Sequence, residues 1–101
     1  MSTQYQAPSY EFDLDTVPVP LKELRSEVIE GELLLYHPAQ TKAVYLNPSA
    51  AVIWSLCDGH RRVGEIVELI NESYPEAKPS AVEDVLATLQ QLSAERVLTV
   101  R

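Results

Sequence analysis

The chain has 101 residues, which is one domain's worth, and 46% of them are apolar, which favours a packed core over wholesale disorder. Its formal charge is −7, from fifteen acidic against eight basic residues. That balance argues against a protein whose affinity rests on phosphate contacts. The one cysteine, Cys57, excludes an internal disulfide and a cysteine-rich metal site.

The N-terminal region carries no targeting signal that we recognise. The first eight residues lack the basic and apolar regions of a signal peptide, and no apolar run approaches the roughly 20 residues of a membrane span. We therefore expect a cytoplasmic protein with no membrane partner. Residues 1–20 hold three prolines and few regularly spaced apolar groups, which predicts a flexible N-terminal arm before a domain at 21–101. Whether Tyr5, Tyr10, Phe12 and Leu14 pack on that domain or on a partner stays open.

Alternation with a period of two then predicts three short strands. They cover residues 27–29, 32–36 and 42–46, with a turn at Glu30-Gly31 between the first two. Pro38 follows the second strand, where a residue without an N–H cannot continue a ladder. Short strands joined by short turns indicate an antiparallel meander.

The period changes to a helical one at Asn47, which is a good N-cap, followed by Pro48 at the first helical position. We expect this helix to end at Asp58-Gly59, where glycine takes the left-handed conformation. A second helix ends before Pro75, and its apolar stripe consists of Val63, Ile66, Val67, Ile70 and Tyr74.

The third helix has the strongest local signal, a predicted capping box formed by Ser80 and Glu83. Its apolar face consists of Val82, Val85, Leu86, Leu89 and Leu92. Residues 97–100 close the chain as a short strand or an extended tail. The predicted fold class is α+β and winged helix-turn-helix-like, with a three-stranded antiparallel sheet followed by three helices.

No pattern of catalytic, metal-binding or cofactor-binding residues is visible. His37 and His60 stand far apart in predicted turns, and neither has a partner at metal-ligand spacing. Cys57 lies in an apolar run, which favours an inert core thiol over a nucleophile. The three glycines form no phosphate-binding loop. We predict a protein that is not an enzyme and needs no cofactor.

Four segments in order resemble one known family. They are Tyr45-Leu46-Asn47-Pro48-Ser49-Ala50-Ala51-Val52-Ile53-Trp54, then Leu56-Cys57-Asp58-Gly59, then Val63-Gly64-Glu65-Ile66-Val67, and Val82-Glu83-Asp84-Val85 with Leu89. This series, within residues 22–100, is similar to PqqD, the pyrroloquinoline quinone biosynthesis protein D, and to its relatives, the RiPP recognition elements. RiPPs are ribosomally made, post-translationally modified peptides.

The resemblance implies that the leader of a precursor peptide docks as an extra strand on the third strand, in a groove walled by the third helix. The strand residues are then Lys42, Ala43, Val44, Tyr45 and Leu46, and the candidate helix residues are Val82, Asp84, Val85 and Leu89. Either Ala43 with Tyr45 or Val44 with Leu46 faces the helix, since alternate side chains point to opposite sides. Asp84 suits a basic peptide residue, or else only the positive end of the helix dipole.

The implied partners are the precursor leader and a modifying enzyme, commonly a radical SAM enzyme, and a homodimer stays open. Two alternatives accompany this interpretation. A DNA-binding winged helix would need a basic recognition helix, yet residues 82–92 contain no Lys or Arg, so we expect no nucleic acid partner. The second alternative is a regulatory module that contacts an enzyme without holding a substrate.

Overall fold

The computed structural model describes residues 12–39 and 43–100. Its elements, in chain order, are β1 (Pro18–Pro20), β2 (Arg25–Ile29), β3 (Glu32–Tyr36), β4 (Ala43–Leu46), α1 (Pro48–Leu56), α2 (Val63–Ser73), a 3-10 helix (Pro75–Ser80), α3 (Ala81–Ala94) and β5 (Leu98–Val100). The predicted α+β fold, with a three-stranded antiparallel sheet followed by three helices, is confirmed.

The three-stranded sheet has the order β2-β3-β4 and is antiparallel throughout. Its first turn is the predicted Glu30-Gly31 pair, and both residues have positive φ, 52° and 85°. Positive φ at both central positions is the signature of a type I′ turn, which matches the twist of the two strands it joins. The hairpin register follows from this turn and pairs Ile29 with Glu32.

One face of the sheet packs against the helices, and the core lies between them. The register sets Leu35 opposite Val44 and Leu33 opposite Leu46, so these four side chains share the helix-facing side. The helices contribute fully buried side chains to this core, which are Val63 and Ile66 from α2 and Val85, Leu89 and Leu92 from α3.

The start of α1 is as predicted and its end is not. Asn47 Oδ1 accepts a hydrogen bond from the Ala50 N–H at 2.9 Å, and Pro48 is the first helical residue. The helix ends at Leu56, earlier than the predicted Asp58-Gly59, and Gly59 has its positive φ of 83° in the following loop. There the Asp58 carboxylate accepts hydrogen bonds from the amides of His60 and Arg61, which lower the pKa of Asp58.

The prediction of a capping box at the start of α3 is wrong. Ser80 closes the preceding 3-10 helix with φ −117° and ψ 6°, which is not the extended conformation that an N-cap needs. Its hydroxyl donates instead to Asp84 Oδ2 at 2.9 Å. A carboxylate does reach back to a cap amide at α2, where Glu65 Oε1 accepts from the Arg62 N–H at 2.8 Å.

The predicted N-terminal arm is docked where the structure describes it, from residue 12 onward, and residues 1–11 lie outside the described residues. Phe12 is buried, and β1 pairs with β5. The carbonyls of Leu14 and Thr16 accept hydrogen bonds from the N–H groups of Gly64 and Val63 in the first turn of α2. Residues 12–20 therefore pair main-chain donors that a helix cannot pair internally.

Candidate functional site

The outer edge of β4 presents main-chain groups that β3 does not use. Ile29 and Glu32 flank the two-residue turn and form a hydrogen-bonded pair, and the bonding direction then alternates along β3. Leu33 and Leu35 therefore bond toward β4, at Leu46 and Val44. It follows that Ala43 and Tyr45 point their N–H and C=O groups away from β3. Within the described ranges, no strand pairs with this edge.

The side chains of β4 resolve the alternative that the sequence left open. Val44 and Leu46 are 9% and 3% exposed and face the helices, whereas Tyr45 is 60% exposed and lies on the opposite face with Ala43. A strand added at this edge would place the side chains beside Val44 and Leu46 on the helix side, because neighbouring residues of adjacent strands share a face. Lys42, the remaining predicted strand residue, lies outside the described residues.

A cavity of about 280 Å³ opens where β4 leads into α1. Its walls come from the start of α1, the end of α2, the 3-10 helix and the start of α3. The lining residues are Pro48, Ser49, Val52, Ile53, Ile70, Tyr74, Glu76, Ala81, Asp84 and Val85. Pro48 follows Leu46 by two residues, which is roughly 7 Å of extended chain. A peptide lying along β4 is therefore within reach of this cavity.

The four predicted residues of α3 occupy different positions. Asp84 and Val85 line the cavity, and Val85 is fully buried behind it. Leu89 is also fully buried and belongs to the core, away from the cavity lining. Val82 is partly exposed, but it lies roughly 200° around the helix axis from Asp84. The structure therefore brings Asp84 and Val85 to the cavity and leaves Val82 and Leu89 out of it.

The charged side chains among the described lining residues are both acidic, Glu76 and Asp84. Both are exposed, and Asp84 also accepts the hydrogen bond from the Ser80 hydroxyl. An apolar cavity with acidic groups at its rim suits an apolar side chain that has a basic neighbour.

Several lining residues were missed by the sequence analysis. Ser49 and Val52 were assigned to a helix and to a segment that carries the family resemblance, but not to the binding site. Tyr74 was assigned only to the apolar stripe of the second helix, and Glu76 to no element. A signal was present for Tyr74, since a tyrosine combines an apolar ring with a hydroxyl that needs a partner and is therefore common at interfaces. The 3-10 helix that brings Glu76 to the rim has no comparable signal in the sequence.

The remaining candidates for chemistry have structural explanations. Burial, helped by the charge of Asp58, raises the pKa of the Cys57 thiol to about 12, and its Sγ lies 3.3 Å from the Ile53 carbonyl oxygen. Arg61 is held by Asp58 and by the Leu56 carbonyl. Within residues 12–39 and 43–100, no cluster of three or more His, Cys, Asp or Glu side chains is placed to hold a metal ion. Over the same residues, no helix has the length and apolar character needed to cross a bilayer.

Comparisons with known proteins point to one family. The family described as coenzyme PQQ synthesis protein D (PqqD) matches residues 32–98. A PqqA binding protein of Klebsiella pneumoniae is 36% identical over 72 residues, covering 71% of this chain and 74% of the relative. One from Pseudomonas aeruginosa (strain UCBPP-PA14) is 36% identical over 85 residues, covering 81% and 88%. The solved structure of TbiB1 in complex with the TbiA(beta) leader peptide superposes with a TM-score of 0.67 at 26% identity, covering 79% of this chain and 93% of that one.

Proposed function

This chain belongs to the PqqD family, and from this we propose that it binds the leader region of a ribosomally made precursor peptide and presents it to a modifying enzyme. The observation that carries the proposal is the unpaired outer edge of β4 beside the cavity. The named ligands of its relatives, PqqA and a leader peptide, support a peptide as the occupant. The protein holds its substrate and performs no chemistry on it.

Strand addition on β4 supplies part of the affinity. Ala43 and Tyr45 offer two N–H and two C=O groups, worth about 1 kcal/mol each as net hydrogen bonds. A total of about 4 kcal/mol corresponds to a dissociation constant of only about 1 mM. Ordering an extended peptide reduces this further. Apolar anchors must therefore supply most of the binding free energy.

The cavity is the place for such an anchor. Val52, Ile53, Ile70 and Val85 give it apolar walls, and it lies on the side to which alternate residues of an added strand would point. Glu76 and Asp84 favour a lysine or arginine next to the anchor. We expect Ala43, Val44, Tyr45 and Leu46 to bind the peptide main chain or border its side chains, and Asp84 and Val85 to contact its anchor segment.

The enzyme that receives the peptide is, by family resemblance, a radical SAM enzyme or another maturase. A winged helix that bound DNA would press α3 against phosphates, and α3 carries Glu83 and Asp84 with no Lys or Arg. Charge therefore favours a peptide over a nucleic acid at this helix.

Proline substitutions test the strand addition. Tyr45→Pro removes an outward N–H, so we expect a folded protein whose affinity for a leader peptide falls at least about tenfold. Val44→Pro removes a hydrogen bond to β3 and should destabilise the fold instead. PqqA is the first leader to use, with affinity measured by fluorescence anisotropy and folding by circular dichroism.

Two variants provide the controls for that experiment. Ser26→Pro removes an outward N–H from β2, the other edge of the same sheet, and should leave peptide affinity unchanged. Tyr45→Thr keeps the N–H and removes the ring, so it separates the side chain's contribution from that of the main chain. If folded Tyr45→Pro bound the peptide as tightly as the parent protein, strand addition on β4 would be ruled out.

A further inference from the structure

The second free edge of the sheet is β2, whose five residues are all exposed. Within the described part of the chain, no strand pairs with its outer side. Val28 is 74% exposed, more than any other large apolar side chain that the structure describes. An edge strand with unpaired main-chain groups and an exposed apolar residue is a template for another strand.

We propose that β2 pairs with β2 of a second copy of this chain, antiparallel and about a two-fold axis at Ser26. The two sheets would then join into one of six strands. The two β4 edges would lie at its far ends and stay open for peptides. The proposal concerns a different edge from the peptide site and does not depend on it.

The hydrogen-bonding direction restricts how β2 can pair with itself. Ile29 bonds to Glu32 across the turn, so the alternation points the N–H and C=O groups of Ser26 and Val28 outward. In a pairing centred on Ser26, the two Ser26 residues form a hydrogen-bonded pair. Val28 of each copy then forms another with Leu24 of its mate. About six main-chain hydrogen bonds result from these three pairs.

Charge selects this register over its neighbours. Centring the pairing on Ser26 sets Arg25 of each copy directly opposite Glu27 of the other, in the closely spaced pairs where side chains interact most strongly. A pairing centred on Glu27 would place the two Glu27 carboxylates opposite each other. A pairing centred on Arg25 would place the two Arg25 guanidinium groups opposite each other. The Arg25-Ser26-Glu27 segment is thus complementary to itself in one register.

The same register covers the exposed apolar side chain. Val28 lies on the helix-facing side of the sheet with Leu33, and Leu24 packs partly against the core. Pairing on Ser26 brings Val28 of one copy beside Leu24 of the other. A contact made by one strand is small, so we expect weak association with a dissociation constant between about 10 µM and about 1 mM.

Disulfide trapping tests the register. The Cα atoms of a hydrogen-bonded pair lie about 5.5 Å apart, within disulfide range, so Ser26→Cys should cross-link two copies under mild oxidation. Val28→Cys is the matched control, because across the two-fold axis its copies lie roughly 13 Å apart along the strands. The native Cys57 is buried and does not interfere. Cross-linking at Val28 as fast as at Ser26, or at neither position, would overturn the proposal.

Charge reversal tests the interface in solution by sedimentation velocity. Arg25→Glu and Glu27→Arg should each raise the dimer dissociation constant about tenfold, since each replaces two attractive pairs by two repulsive ones. The double variant restores both pairs and should return to within about threefold of the parent protein. A parent that stays monomeric up to about 1 mM, or a double variant as weak as the single ones, would show that β2 does not pair with itself.

Discussion

At the scale of a single residue, Asp84 has a structural role at the start of α3 and a proposed role in peptide binding. Its carboxylate accepts the Ser80 hydroxyl at 2.9 Å and so stabilises the start of α3, where a negative charge also favours the helix dipole. It also lines the cavity, whereas its neighbour Glu83 does not. The peptide role and the structural role can be separated because they respond differently to the loss of charge.

We expect Asp84→Asn to weaken the binding of a leader with a basic residue beside its apolar anchor by about three- to tenfold, because a charge-assisted hydrogen bond is replaced by a neutral one. The asparagine oxygen can still accept from Ser80, so the melting temperature should change little. Glu83→Gln removes a carboxylate from the same turn of the helix and serves as the control. Equal affinities for the two variants, measured by fluorescence anisotropy at low salt, would remove Asp84 from the site.

The sequence alone was enough to separate two of the residues predicted for the groove. Val82 and Asp84 are two positions apart on a helix, and so cannot face one groove together. The sequence does not show whether the side of α3 that carries Val82 or the side that carries Asp84 faces the cavity, because that depends on how α3 packs against α1 and the 3-10 helix. Burial of Val85 and Leu89 was predictable from the apolar stripe of the helix, but the cavity that Val85 lines was not.

At the scale of one element, α3 combines a core face with a rim of the site. Leu89 is fully buried and lies away from the cavity lining, so we assign it to the core. Leu89→Ala should lower the free energy of unfolding by about 2–5 kcal/mol through lost burial and the cavity left behind.

Peptide affinity should be unchanged in the folded fraction of that variant. Chemical denaturation measures the free energy of unfolding, and calorimetry measures the peptide affinity. A loss of affinity in fully folded Leu89→Ala would return this residue to the binding site, where the family resemblance first put it.

The strands and helices themselves were largely predictable. The alternation of β3 and the Glu30-Gly31 turn fixed the hairpin, and the turn type then fixed which amides of β4 point outward. Ser80 shows the limit of such rules. Its spacing from Glu83 matches a capping box, but Ser80 is the last residue of a 3-10 helix that begins at Pro75, and its hydroxyl donates to Asp84 instead.

At the scale of the whole molecule, residues 12–20 are part of the domain. A chain of this size buries a modest share of its surface, and its stability is correspondingly small. Phe12, which is 3% exposed, adds one large side chain to the core, and β1 adds a partner to β5. Sequence reasoning did not predict this docking, since three prolines and a lack of periodicity are as typical of an irregular docked segment as of a flexible one.

Phe12→Ala should therefore lower the free energy of unfolding by about 3–5 kcal/mol, a large share of the total for a domain of this size. Leu14→Ala changes a side chain of the same segment that is 48% exposed, and it keeps the carbonyl that binds Gly64. That control should melt close to the parent protein. Equal melting temperatures for Phe12→Ala and the parent would mean that the segment does not contribute to the core.

Peptide addition to β4 is tested most directly by amide hydrogen exchange at Tyr45. In the free protein the Tyr45 N–H points away from β3 and should exchange quickly, while the Val44 N–H is already protected within the sheet. Saturating PqqA should slow exchange at Tyr45 by at least about tenfold and leave Ser26, on the other edge, unchanged by the peptide. Saturation with no added protection at Tyr45, or with new protection at Ser26 instead, would contradict the claim.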